Sequence, residues 1–280
     1  MARLGKTNTL PIVRDSDFGF YLDGGELGDI LLPNAEVPQG VEQGDEVEVF
    51  VSRDSEDRIV ATVQKPFVEV GQFAALEVMS INSNIGAFLN WGLSKDLLLP
   101  FREQPFRVRV GQLALVYVMV DEVSNRIVAT LRTNRFLDKT RANYQTGEPV
   151  TFIIQERTPL GYMAIVNQEH RGLLHESRIT RPLKIGETFE GFIAEMKDGG
   201  KIDLSLEQVG YGRVTGLSGL ILEKLEQNDG HLMVSDKSSP EEIRRMFQTS
   251  KKAFKQALGA LYRKRLIEMK DGSISLLKKS

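Results

Sequence analysis

The sequence predicts a mainly β, multidomain fold closed by a small α+β module, on three observations. Arg58-Ile59-Val60-Ala61-Thr62 stands again as Arg126-Ile127-Val128-Ala129-Thr130, so a module shorter than a typical domain repeats. Around these landmarks apolar and polar residues alternate with the period of a half-buried strand. From Leu217 onward the spacing turns helical.

The repeat extends well beyond five residues. Asp29-Ile30-Leu31-Leu32-Pro33 returns 67 positions on as Asp96-Leu97-Leu98-Leu99-Pro100, Gly44 returns as Gly111, and Asp54 as Asp121. Phe18-Gly19-Phe20-Tyr21-Leu22 answers Ile85-Gly86-Ala87-Phe88-Leu89. Glu46 to Val51 alternates strictly, and Leu113 to Val120 is its more apolar counterpart. Asp54 to Asp57 and Asp121 to Asn125 are turns leading into the repeated strand. Short strands with regular turn signals in modules of this size predict small barrels or sandwiches. A third copy keeps the same order: Leu160-Gly161-Tyr162-Met163-Ala164, then Gly172-Leu173-Leu174-His175-Glu176-Ser177, Gly186-Glu187, and Lys201-Ile202-Asp203-Leu204-Ser205. The expected modules are 1–66, 67–137 and 138–210, with a fourth at 211–280 and short linkers around 64–72, 137–147 and 208–216.

The glycine in an aromatic strand, the Gly-Leu-Leu-His-x-Ser segment and the Lys-Ile-x-Leu-Ser ending, clearest in the third copy, resemble the S1 RNA-binding domain. That resemblance implies three tandem five-stranded barrels of the OB type, which bind single strands across the second and third strands. It places Phe18, Tyr21 and Arg58 on that face in the first copy, and Phe88 and Arg126 in the second, with Trp91 nearby. In the third it places Tyr162, His175 and Lys201 there. The family's histidine position aligns with Leu32 and Leu99 in the first two copies, and its first aromatic with Ile85 and Leu160 in the last two. An aromatic in a strand more often sits in a core than on a stacking platform, and a lone histidine is more often structural than a metal ligand.

Past the barrels, Leu217 to Leu225 has helical spacing and stops near Asn228-Asp229-Gly230. Ser239-Pro240-Glu241-Glu242 is a helix start, with a capping Ser, Pro in the first turn and acids at the positive end of the dipole. Ser250 caps a third helix expected to run to about Leu266. Its apolar stripe of Phe254, Ala257, Leu258 and Leu261 leaves Lys252, Lys255, Gln256 and Arg263 on the opposite side with Gly259 among them, and Lys251, Lys252, Lys255, Arg263, Lys264 and Arg265 argue for nucleic acid. A strand near His231 and a hairpin around Asp271-Gly272 complete the order of a winged helix.

Three S1-type barrels followed by a winged helix resemble the conserved virulence factor B family of bacterial proteins, also called YitL-like. This resemblance implies a non-catalytic RNA-binding regulator of gene expression acting after transcription. A DNA-binding regulator acting through the winged helix and a ribosome-associated scaffold are the alternatives.

Charge refines the expectation. The net charge of −2 conceals −7 over residues 1–66 (6 basic against 13 acidic), +1 over 67–137 (7 against 6), −2 over 138–210 (9 against 11) and +6 over 211–280 (14 against 8). Phosphates are drawn to the C-terminal end and repelled by the first copy, so the third barrel and the winged helix are expected to hold single-stranded RNA, with the first two barrels weak binders or spacers. The chain has no cysteine, which removes disulfides, thiolate metal sites and cysteine nucleophiles and fits a reducing compartment. Nothing reads as a signal peptide or a membrane span, so a cytoplasmic location without a membrane partner is expected. The acids are scattered, and no phosphate loop, nucleophile elbow or His-Glu-x-x-His helix is present, so neither an enzyme nor a cofactor or metal site is expected.

Overall fold

The computed structural model describes residues 1–179, 181–207, 217–263, 265–270 and 272–277. The chain divides into two compact units, 1–209 and 210–280. The expected linker at 208–216, Lys264 and Asp271 lie outside the described residues.

The first unit holds three closed barrels. Strands Thr7–Ser16 (β1), Gly19–Asp23 (β2), Asp29–Pro33 (β3), Glu46–Arg53 (β4) and Ile59–Thr62 (β5) form barrel 1. Barrel 2 comprises Phe73–Asn82 (β6), Gly86–Asn90 (β7), Leu97–Pro100 (β8), Leu113–Val120 (β9) and Ile127–Thr130 (β10). Barrel 3 comprises Pro149–Thr158 (β11), Gly161–Val166 (β12), His170–His175 (β13), Thr188–Lys197 (β14) and Lys201–Ser205 (β15). In each, the third strand pairs parallel with the fifth and the remaining pairs are antiparallel, the closed five-stranded arrangement of an OB barrel.

Alternation builds these cores. In β4, Val47, Val49 and Val51 point into barrel 1 while Glu46 and Glu48 face solvent. Phe50 breaks the alternation for a reason: it leaves barrel 1 and meets Trp91 of barrel 2 edge to face, ring centroids 5.5 Å apart. The more apolar β9 behaves likewise, its Leu115 packing with Phe73, Ile153 and Ile165 between barrels 2 and 3 while Tyr117 stacks on Phe136 at 4.0 Å. The Gln168 side chain fastens the same junction, accepting from the Phe73 N–H (2.6 Å) and donating to the Phe73 carbonyl (3.1 Å). Phe50 and Leu115, apolar residues turned outward from their strands, thus mark barrel-to-barrel contacts, where period-two reading alone sees a less regular strand.

The glycine opening the second strand recurs as Gly19, Gly86 and Gly161, at φ +139°, +150° and +140°. A Cβ at these positions would lie 2.0 to 2.2 Å from the carbonyl oxygen of Leu32, Leu99 or Leu174. Only glycine fits. One residue of the first strand also bulges out at the same place in each barrel, Val13, Met79 and Gln155.

The second unit contains Leu217–Glu226 (α1), His231–Leu232 (β16), Pro240–Phe247 (α2), Lys251–Arg263 (α3), Ile267–Lys270 (β17) and Ser273–Leu276 (β18), with sheet order β16-β18-β17. Ser239 Oγ accepts from the Glu242 N–H at 3.1 Å and Ser250 Oγ from the Ala253 N–H at 3.2 Å, the two caps expected from sequence. Phe254, Ala257, Leu258 and Leu261 are buried as one stripe. The described α3 ends at Arg263, before the expected Leu266, because Arg265 turns left-handed (φ +54°). The Arg265 and Leu266 N–H groups then fold back to the Tyr262 and Leu261 carbonyls, the Schellman pattern. A Cβ on Gly259 would meet no atom within 4 Å, so close approach within the described residues does not account for that glycine.

Candidate nucleic-acid interface

Strand register aligns the three barrels residue by residue. The positions before the strand glycine are Phe18, Ile85 and Leu160, all exposed, Phe18 at 72%. Two residues after the glycine come Tyr21, Phe88 and Met163, opposite Arg14, Ser80 and Glu156. Leu31, Leu98 and Leu173 correspond on the third strand, and Val60, Val128 and Asp203 pair with them on the fifth. Arg58, Arg126 and Lys201 immediately precede the equivalent Ile59, Ile127 and Ile202.

This register corrects two expectations. Tyr162 is equivalent to Phe20 and Ala87, not to Tyr21 and Phe88; a one-residue offset reverses the face. It is 3% exposed, sits in the core of barrel 3, and its hydroxyl accepts from the Leu183 N–H at 3.2 Å, so no base can stack on it. The equivalents of His175 are Pro33 and Pro100, opposite the strand glycines as His175 is opposite Gly161. Leu32 and Leu99 point inward and are fully buried. Trp91 is buried too, its Nε1 donating to the Lys95 carbonyl at 2.6 Å.

The faces of barrels 1 and 2 open into one groove of about 570 Å³, in which Leu31, Pro33 and Val60 of the first share walls with Ile85, Phe88, Leu98 and Val128 of the second. Two of its arginines are already matched. Arg58 is held by Asp54 at 2.7 Å and Glu56 at 3.3 Å. Arg126 crosses between barrels to grip Asp57 with two hydrogen bonds, 2.7 and 2.5 Å. That hydrogen-bonded guanidinium holds the Asp57 carboxyl below its ordinary range. Arg53 ties the same turns together, donating to the Asn125 carbonyl at 3.0 Å. Tyr21 is capped by the Arg14 guanidinium, 3.8 Å from the ring centroid, and Arg14 also reaches Asp29 at 3.7 Å.

The equivalent face of barrel 3 is a separate groove of about 780 Å³. Leu160, Met163 and Leu173 floor it, and the cations around it are Lys139, Arg141, Arg171, Lys197 and Lys201, against Asp138 and Asp203. Buried Asp203 replaces the valine of the other barrels, accepts from or pairs with His175 Nε2 at 3.0 Å and forms an ion pair with Lys197. Lys139, Arg141 and Lys201 are exposed without a carboxylate partner among the described residues. His170 lines the groove from its far side, Nδ1 lying 3.1 Å from the Tyr144 hydroxyl.

Comparison with known proteins gives this arrangement its family. An S1 domain model matches residues 4–64 and a CvfB-like winged helix domain model matches 219–276. The uncharacterized protein YitL of Bacillus subtilis is 30% identical over 96% of this chain and 92% of its own length. The chain belongs to the YitL and conserved virulence factor B family. The conserved virulence factor B of Staphylococcus haemolyticus is 25% identical over 99% of this chain and 95% of its own. A crystal structure of a multidomain protein with nucleic acid binding domains from Streptococcus pneumoniae is 22% identical, covering 98% of each chain, with a TM-score of 0.49. The S1 match falls on barrel 1, whereas the motifs that suggest S1 from sequence are clearest in barrel 3.

In this family member the winged helix presents Lys252, Lys255 and Arg263 on the exposed side of α3. Lys255 lies 3.8 Å from Asp236, Lys251 Nζ reaches the Lys237 carbonyl at 3.5 Å, and Arg263 Nε donates to the Gly259 carbonyl at 3.2 Å. Sequence reading missed Lys139, Arg141, Arg171 and Lys197. For Lys197 the available signal was Gly199-Gly200 before Lys201, a turn between β14 and β15 with a lysine on either side.

Among the described residues no helix is long and apolar enough to cross a membrane.

Proposed function

We propose that the chain is a non-catalytic RNA-binding regulator that holds single-stranded RNA chiefly on the face of barrel 3 and on the basic side of α3. The observation that carries this reading is the groove of barrel 3, where five cations surround an apolar floor and three of them, Lys139, Arg141 and Lys201, have no carboxylate partner among the described residues, Lys197 being held by Asp203 and Arg171 by Glu156. Phosphates follow such a rim while bases rest on Leu160, Met163 and Leu173. Without an exposed aromatic in that groove, charge dominates the affinity. The groove of barrels 1 and 2 supplies an aromatic, Phe88, but Arg58 and Arg126 already have carboxylate partners, so these barrels contribute less.

Competition decides between single-stranded RNA and the alternative of duplex DNA read by α3. The full chain bound to a labelled single-stranded RNA is expected to release it to unlabelled RNA at far lower concentration than to duplex DNA. Equal competition by the duplex overturns the RNA reading.

Because Arg126 is held by Asp57, a gain of binding is also expected. Asp57→Ala frees Arg126 for phosphate, and one added contact with a single strand is worth about fivefold in affinity at 0.1 M salt, from a salt slope of about −0.7 per phosphate. A gel shift in which Asp57→Ala binds no better than the parent rejects the idea that carboxylates silence this groove.

A further inference from the structure

We infer that the groove of about 620 Å³ between barrels 2 and 3 is a second nucleotide site, built on elements other than the OB face. Gln155 is the residue that bulges out of β11. Its counterparts Val13 and Met79 are exposed apolar residues, whereas Gln155 is 9% exposed and lines this groove. Bulges redirect side chains, often beside functional sites. The Gln155 amide nitrogen is engaged, donating to Thr133 Oγ1 at 3.1 Å and to Asn134 Oδ1 at 2.8 Å. Its Oε1 is buried and has no hydrogen-bond partner. Buried polar atoms in folded proteins are nearly always paired, so the orphan acceptor calls for a donor, which an occupant of the groove supplies once the Gln155 amide turns toward it.

The walls specify the occupant. Phe106 offers a ring that is 58% exposed, flanked by the exposed Leu113 and Ile185. Arg132 and Arg135 line the same groove and are exposed, and neither has a carboxylate partner among the described residues. The one acid of the lining, Glu156, is ion-paired with Arg171. An aromatic platform, an acceptor lacking a donor and two exposed guanidiniums, Arg135 and Arg132, the latter donating only to the Arg102 carbonyl, correspond to the face of a base, a base N–H and a phosphate. An acidic peptide would satisfy the arginines, but both barrels are closed and give an extended peptide no strand edge to pair with. The nucleotide can arrive free or as part of a strand. The inference shares the nucleic-acid reading above but not its residues.

Calorimetric titration of the full chain with adenosine, AMP and a six-residue oligoadenylate tests it. AMP is expected to bind at least fivefold more tightly than adenosine. Arg135→Ala should abolish that preference, and Gln155→Met and Phe106→Ala should weaken both ligands severalfold. Binding of the hexamer with the same dependence on Arg135, without binding of AMP, assigns the site to a strand. Arg141→Ala with Lys201→Ala, in the groove of barrel 3, should leave AMP binding unchanged. Loss of AMP binding in that double variant, with retention in Arg135→Ala, moves the nucleotide to barrel 3 and overturns this site while leaving the proposed function standing. Absence of binding by AMP and hexamer at millimolar concentration overturns it as well, leaving water as the partner of Gln155. So does binding of a peptide of alternating Glu and Leu in place of AMP.

Discussion

Gly161→Ala is expected to cost about 2–6 kcal/mol and to open barrel 3. Two effects add. At φ +140° an L-residue occupies a region that glycine alone enters freely, worth about 1–3 kcal/mol of strain. The new Cβ would also stand 2.2 Å from the Leu174 carbonyl oxygen and 2.7 Å from the Glu176 nitrogen. Those atoms are backbone and cannot rotate away, so relief requires β12 and β13 to separate, and overpacking of this kind costs about 1–3 kcal/mol. Domain stabilities lie at about 5–15 kcal/mol, so the loss is a large share of the total. Urea unfolding followed by circular dichroism checks it. Gly199→Ala is the control: its φ is +79°, a Cβ there meets nothing within 4 Å, and only the left-handed backbone cost of about 1–2 kcal/mol applies. Equal losses in the two variants would show that close strand approach is not what these glycines provide. Gly86→Ala repeats the test in barrel 2, where Trp91, the chain's one tryptophan, reports unfolding by fluorescence.

The same glycines explain what could be read from sequence. A residue forced by backbone geometry recurs wherever the fold recurs, so Gly19, Gly86 and Gly161 and the landmarks around them revealed three barrels. Capping residues did the same for the second unit, since Ser239 and Ser250 act locally, within three residues. The candidate site was less legible because faces depend on register. In barrel 3 the outward position holds Met163, and the neighbouring aromatic, Tyr162, drew the assignment although it points inward. The pairing of Arg126 with Asp57 joins residues of different barrels, and no periodicity within a module encodes it. The orphan Oε1 of Gln155 is likewise a property of packing: a lone glutamine in a strand carries no signal in sequence.

Arg141→Ala combined with Lys201→Ala is expected to weaken single-stranded RNA binding by about 25-fold at 0.1 M salt and to flatten its salt dependence. Both side chains are exposed on the rim of the barrel 3 groove, and neither has a carboxylate partner among the described residues. Each is therefore free to displace a counterion from a phosphate. Single strands lose about 0.7 in the slope of log affinity against log salt per phosphate contact, so two lost contacts reduce the slope by about 1.4. At 0.1 M that change is the stated factor. Arg58→Ala with Arg126→Ala removes the same formal charge from barrels 1 and 2, but those guanidiniums already face Asp54, Glu56 and Asp57. Their loss should change affinity less than twofold and leave the slope alone. Filter binding across a salt series measures both quantities. If the two double variants lose affinity alike, net charge governs binding rather than the availability of individual cations, and the assignment to barrel 3 falls.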